Sequence, residues 1–230
     1  MTNPVLANVR ARARQAVARA TLPESATHHP GRFDWHTGDP SDAEALVARF
    51  TRELEPLGGA VHRVGSAADA AAWMTGFAAR IGVTTALAWD EDAIGVVGLM
   101  SALARAGVGV ADHTLPDEPS AREARLADLE RCELGVTGAD HGLADTGSLV
   151  LVNGPGRGRL ASLLPPVHVA VLPVTRLVWS LSDALAASPQ LATSGSNLVV
   201  ITGPSRTADI EMTLTRGVHG PRELHVVLVG

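Results

Sequence analysis

Residues 60 to 89, AVHRVGSAADAAAWMTGFAARIGVTTALAW, hold two strand-like runs with one helical pattern between them. Ser66 stands where a helix N-cap belongs. Ala70, Trp73, Met74, Phe77 and Ile81 then recur at helical spacing, and Gly82 ends the period just before the β-rich TTALAW. A strand, a helix and a strand this closely spaced form a crossover unit. Its repetition along a chain implies a parallel sheet covered by helices on both faces.

The repetition is there on either side. Upstream, Ser41 and Glu44 read as a capping box, Leu46, Phe50 and Leu54 line one helical face, and Gly58-Gly59 stops the helix. Downstream come a helix near 92 to 106, the strand VGVAD, and a helix capped by Ser120 and Glu123. Residues 134 to 152 break the rhythm: two strand-like runs flank a centre of Gly, Asp and His with no room for a crossover helix, so a hairpin or irregular loop is expected. Alternation resumes with HVAVLPV, a helix near 176 to 187, the loop ASPQLATSGSN, the strand LVVIT, a helix after Pro204 and the closing strand LHVVLV. The fold class is α/β, three layers in the order α/β/α around a mostly parallel sheet. Asn3 and Pro4 open a separate N-terminal helix with Val5, Val9, Ala13, Val17 and Ala20 on one face. Residues 21 to 40, with three prolines and no period, read as a linker. The chain thus divides into a helix and linker, 1–40, and an α/β domain, 41–230.

Composition narrows the chemistry. The net charge of −5 gives no electrostatic footprint for nucleic acid. All 19 basic residues are arginine, which removes Schiff-base and pyridoxal chemistry and the phosphate-loop lysine. A single cysteine, Cys132, cannot supply a four-thiolate cluster or an internal disulfide, so no cofactor or metal is expected on this chain and a cytoplasmic setting fits. No apolar run is long enough to span a bilayer.

Ligands of doubly wound sheets gather at the carboxyl ends of strands, which points to three segments. GADHGLADTGS, 138 to 148, offers Asp140, His141 and Asp145 as titratable groups among glycines; the same composition also describes a plain turn. TSGSN, 193 to 197, could hydrogen-bond a carboxylate or phosphate, or form a surface loop. ITGPSRTADIE, 201 to 211, places Ser205, Arg206 and Thr207 where a helix would begin, which suits an anion; Asp209 and Glu211 suit a structural cap equally well. GPGRG at 154 to 158 lacks the spacing of a dinucleotide loop, and His168 and His225 read as core histidines within apolar strands.

Taken together, GVTGADHGLADTG (135 to 147), LLPPVHVAVLP (163 to 173), ITGPSRTADIE (201 to 211) and GVHGPRELHVVLV (217 to 229) resemble the lactate-utilisation protein C family, the LUD-domain proteins. The resemblance implies a sheet of the NagB/RpiA/CoA-transferase-like type. It also implies a role in oxidising L-lactate to pyruvate alongside partner proteins that carry the iron–sulfur clusters. Where the family commonly has glutamate in an Ala-Glu-Thr-Gly motif, this chain has Asp145. The resulting expectation is one cleft. Asp145 and His141 are its catalytic candidates, with Asp145 as base or acceptor for a substrate hydroxyl. Thr146, Ser205, Arg206 and Thr207 bind a carboxylate or phosphate, and Thr137, Asp140, Glu211 and His219 stand nearby. The alternatives are a non-catalytic assembly or regulatory module of the same system, or a free-standing CoA- or acyl-transferring enzyme.

Overall fold

The computed structural model describes residues 42–208 and 214–230, together with Ala11, Arg12 and Gln15, which are helical. The rest of the expected N-terminal helix and the linker to residue 41 lie outside the described residues.

Six strands form a parallel sheet. In chain order its strands are β1 (Gly59–Val64), β2 (Thr85–Ala88), β3 (Gly109–Ala111), β4 (Leu134–Gly138), β7 (Val167–Pro173) and β12 (Glu223–Val229). They stand side by side as β1-β12-β7-β4-β2-β3, every neighbouring pair parallel. Strand β4 is buried throughout, and β7 is buried except at its two ends, as a sheet covered on both sides requires.

The helices follow from their caps. Helix α1 (Ala43–Leu54) starts one residue later than a Ser41 cap would give: the Asp42 carboxylate accepts from the backbone N–H groups of Glu44 and Ala45 at 3.0 and 3.2 Å. Its Leu46, Phe50 and Leu54 are buried as the spacing predicts. Helix α2 (Ala67–Ile81) is capped by Ser66 and closed by Gly82 at φ 73°, also as predicted. The single helix expected near 92 to 106 is instead two short ones, α3 (Glu91–Ile94) and α4 (Leu99–Arg105). Gly95 and Gly98 both adopt positive φ between them, and the Glu91 carboxylate accepts from the N–H groups of Gly98 and Met100. Helix α5 (Pro119–Leu129) is capped by Glu118 with Pro119 at its first position, rather than by Ser120 and Glu123. Just after it Cys132 is buried, and burial pushes its thiol pKa up.

A second sheet accounts for the irregular 134 to 152 stretch. After β4, the chain forms an antiparallel hairpin of β5 (His141–Leu143) and β6 (Ser148–Asn153), flanked by β8 (Leu177–Val178) and β9 (Asn197–Ile201) in the order β8-β5-β6-β9. The expected helix near 176 to 187 is shorter, α6 (Leu181–Ala187), opened by a Ser180–Asp183 capping box because β8 takes the first residues. Alternation along β6 sends Leu149 and Leu151 into the main core and Val150 and Val152 into a smaller one with Leu143, Ala184 and Leu191.

The largest correction falls on ITGPSRTADIE. Among the described residues no helix follows Pro204: β10 (Arg206–Ala208) pairs antiparallel with β11 (Leu214–Arg216), Arg206 opposite Arg216. Gly203 at φ 79° and Gly217 at φ 78° turn the chain into and out of this ribbon. The anion site can therefore draw on no helix N-terminus there, and Asp209 and Glu211 lie outside the described residues.

Candidate functional site

One cavity, of about 260 Å³, gathers several of the predicted residues. Its wall includes Ser162, His168, Thr202, Ser205 and His219, closed by Val199–Ile201 of β9 and by Leu224. His168 and Leu224 are the second residues of β7 and β12, so the cavity lies at the amino ends of these strands, not at the carboxyl ends. The geometry is fixed by register. His168 is level with Gly135 on β4 and with Leu224 on β12, so all three point to one face. The turn Arg159–Ser162 passes so close over Gly135 that only a glycine fits beneath it.

His168 is 1% exposed, and its Nε2 lies 2.9 Å from the fully buried Thr137 Oγ1. Burial holds its pKa down at about 4, so the imidazole is neutral at pH 7. Thr137 has no other hydrogen-bond partner among the described residues, and Nδ1 of His168 makes no hydrogen bond among them. A neutral imidazole, held in place by Thr137, therefore contributes to the cavity wall.

Thr202, in the same wall, ends a run of hydroxyls. Ser148 Oγ lies 2.7 Å from Thr202 Oγ1 and donates at 2.8 Å to Thr146 Oγ1, which in turn donates at 3.1 Å to the Asp145 carboxylate. A carboxylate only accepts, so it polarises the chain toward itself: Ser148 spends its proton on Thr146, and Thr202 spends its own on Ser148. Thr202 Oγ1 is thereby left with accepting lone pairs, on a residue that lines the cavity. Asp145 does not line the cavity but is connected to it through these hydroxyls.

Arg206 is exposed and without an ion-pair partner among the described residues. Its guanidinium packs beside Gly203, a residue of the cavity wall. Ser205 is fixed by its backbone, its N–H donating to Pro221 O at 2.8 Å and its carbonyl accepting from Gly217 N–H at 3.0 Å. The side chain of Thr207 and all of Glu211 lie outside the described residues.

Asp140 and His141 go elsewhere, so the single expected cleft is in fact divided. Asp140 binds Arg157 Nη1 at 2.7 Å and accepts from Val152 N–H at 2.7 Å. His141 Nε2 lies 3.2 Å from Ser188 Oγ, and burial lowers its pKa. Asp140 and Ser188 line a second cavity, of about 600 Å³. Sequence reasoning missed His168, Ser148, Ser162 and Thr202. The available signal was polarity inside apolar strands: Thr137, Ser148 and His168 are three of the few buried polar residues.

Comparison with known proteins agrees with this architecture. Residues 47–229 match the sequence pattern of the LUD domain. The chain belongs to the LUD-domain family. Relatives of this LUD domain include Lactate utilization protein C of Halalkalibacterium halodurans, 38% identical over 62% of this chain and 61% of the relative. Lactate utilization protein C of Shouchella clausii is 36% identical over 64% of this chain and 63% of the relative. The match thus spans somewhat less than two thirds of those proteins. A crystal structure of a DUF162 family protein from Deinococcus radiodurans shares the fold, with a TM-score of 0.54 and 21% identity over 83% of this chain and all of that one. No helix among the described residues of the LUD domain is long and apolar enough to cross a membrane.

Proposed function

We propose that this LUD domain is the cluster-free subunit of an L-lactate-oxidising system and that the smaller cavity binds the hydroxy acid. The observation that carries the reading is that one cavity of about 260 Å³ is lined both by the neutral imidazole of His168, which in this reading keeps its proton on Nδ1, and by Thr202, whose hydroxyl accepts through the Ser148–Thr146–Asp145 run. An α-hydroxy acid matches both: an oxygen of its carboxylate accepts from His168, and its hydroxyl donates to Thr202. Arg206 at the rim adds the positive charge that a carboxylate needs. The similarity to Lactate utilization protein C from two organisms supports lactate as the acid.

Oxidation of L-lactate to pyruvate releases two protons and two electrons. The hydroxyl proton passes to Thr202 as the proton of Thr202 moves to Ser148, that of Ser148 to Thr146, and that of Thr146 to Asp145. Asp145 is therefore the end of a relay. The C2 hydrogen leaves as the second proton, and the two electrons pass one at a time to iron–sulfur clusters on the partner proteins. This chain, with one buried cysteine, cannot hold a four-thiolate cluster itself.

The test uses the full chain with its iron–sulfur partners, L-lactate and an artificial electron acceptor, beside calorimetric titration of the chain with pyruvate. Asp145→Asn and Ser148→Ala should lower the oxidation rate by about 10²- to 10⁴-fold, the range for general-base assistance, and leave pyruvate affinity nearly unchanged. Arg206→Ala should instead weaken pyruvate binding by roughly tenfold, as expected for a charge-assisted hydrogen bond. Full oxidation rates in all three variants would reduce the chain to an assembly component.

A further inference from the structure

Three arginines from separate parts of the chain meet at the ribbon of β10 and β11. Register sets Arg216 directly opposite Arg206, so the two positions share one face of the ribbon. The base of the ribbon is tied twice. Gly217 N–H donates to Ser205 O at 3.0 Å, and Ser205 N–H donates to Pro221 O at 2.8 Å. These bonds bring in Arg222 as the third. Gly217, at φ 78°, carries no Cβ, and the stem of Arg222 lies in the space that a Cβ would need.

Such an arrangement is unfavourable by itself. Like charges directly opposite one another destabilise an antiparallel pair. The ribbon belongs to neither of the larger sheets, and a two-stranded ribbon alone is marginal in water. Arg206 and Arg222 are exposed, and neither has an ion pair among the described residues. The stretch MTLTRGVHGPR, 212 to 222, contains no acidic residue. The carboxylate that follows it, Glu223, is turned toward His225, 3.4 Å from Nε2. Those two residues lie on the face of β12 opposite to Leu224, so Glu223 is directed away from the side of the smaller cavity. Between Arg216 and Arg222 in sequence, Val218 is 50% exposed. Uncompensated positive charge beside an exposed apolar side chain is the mark of a surface that is covered in use.

We propose that this surface docks an acidic segment of the iron–sulfur partner. Charge complementarity selects carboxylates, which guanidinium groups hold through paired hydrogen bonds. Val218 calls for an apolar residue among them. Position favours the same occupant. Gly203, beside the Arg206 guanidinium, lines the smaller cavity, and so do His219 and Gly220 of the turn that carries Val218. A protein held here stands against the wall of the space where the hydroxy acid gives up its electrons. That the partner carries iron–sulfur clusters rests on the function proposed above; that its docking segment is acidic rests on the arginines alone.

The test is the affinity of the full chain for the purified iron–sulfur proteins of the oxidation assay, measured by biolayer interferometry. Affinity should fall by about tenfold or more as sodium chloride rises from about 50 to 300 mM, because exposed charges are screened. Arg222→Glu should weaken binding at low salt by about tenfold or more, while Arg222→Lys, which keeps the charge, stays within about threefold of the unaltered chain. Should Arg222→Glu fail to fold, Val218→Asp at its half-exposed position decides, with a loss of about tenfold from like-charge contact. The proposal is overturned by no association, by association indifferent to salt, or by unchanged affinity in a folded Arg222→Glu chain. A chain that dimerises through this surface, with Arg222→Glu monomeric, overturns it equally. Charge-dependent docking in a complex that oxidises no L-lactate keeps the surface and removes the function proposed above. Full lactate oxidation with unchanged affinity in Arg222→Glu does the reverse.

Discussion

A single methyl group added at Gly135 should destabilise the domain by about 3 kcal/mol or more, at the upper end of what overpacking does. A Cβ at that position would lie 1.9 Å from the carbonyl oxygen of Ala161, 3.1 Å from its carbon and 3.3 Å from Pro165 Cγ. The first two contacts are with backbone, which cannot rotate away as a side chain can. Either the Arg159–Ser162 turn must lift off the sheet or β4 must shift against its partners, β2 and β7. Gly76 is the control. It lies in α2, a Cβ there would meet nothing within 4 Å, and Gly76→Ala should stabilise by roughly 0.5–1 kcal/mol through helix propensity. Urea unfolding of the two variants should move the midpoint in opposite directions. A Gly135→Ala midpoint equal to that of the unaltered chain would show that the turn is not packed as described.

Acidification should have the next largest effect, and His168 is the main reason. Its pKa in the fold is about 4, against about 6.5 for an unperturbed histidine. Between those values the unfolded chain takes up a proton that the folded chain refuses, so stability falls as pH falls. It is constant above about 6.5, declines through the window, and levels off for this group below 4. Integrated over the window, the loss is on the order of 3 kcal/mol. His62, His141 and His225, each lowered chiefly by burial, act in the same direction. The carboxylates of Glu91 and Glu133, lowered by backbone N–H groups, add their loss only further down, as pH drops through the carboxylate range. Urea midpoints measured from pH 7.5 to 4.5 should therefore slope. His168→Gln, which keeps a partner for Thr137 without a titrating ring, should flatten much of that slope. Identical slopes with and without His168 would refute the assignment.

The parts of this fold that local physics controls were legible from the residues. Helix α2 has its cap, its period and its terminal glycine within one short stretch, and each is where the sequence places it. The main sheet followed because repeated strand and helix of this size have few other ways to pack. What failed was set by distant partners. Ser-Arg-Thr after Gly-Pro has the chemistry of a helix start, yet Arg206–Ala208 forms a strand because Leu214–Arg216 comes back to pair with it. Strand β5 is only three residues long, and nothing within His141–Leu143 says that it pairs with both β6 and β8. The site was half legible for the same reason. Asp145, Thr146 and Ser205 were named from local chemistry. Their connection depended on Ser148 meeting Thr202, which are 54 residues apart and become neighbours only in the β6–β9 pair. His168 was read as a core histidine and is one, and it also lines the smaller cavity. Asp145 itself accepts from the adjacent Thr146 and does not line the cavity.

The burial of Cys132 gives the molecule an internal clock. It is the only thiol, is 4% exposed, and its raised pKa keeps the reactive thiolate scarce even when a reagent arrives. Labelling by a thiol reagent must therefore wait for the corner between α5 and β4 to open. Because the chain has a single thiol, the rate of mass gain with a thiol-selective reagent reports that opening. A ligand that tightens the sheet will be visible as slower labelling, with no probe introduced into the protein.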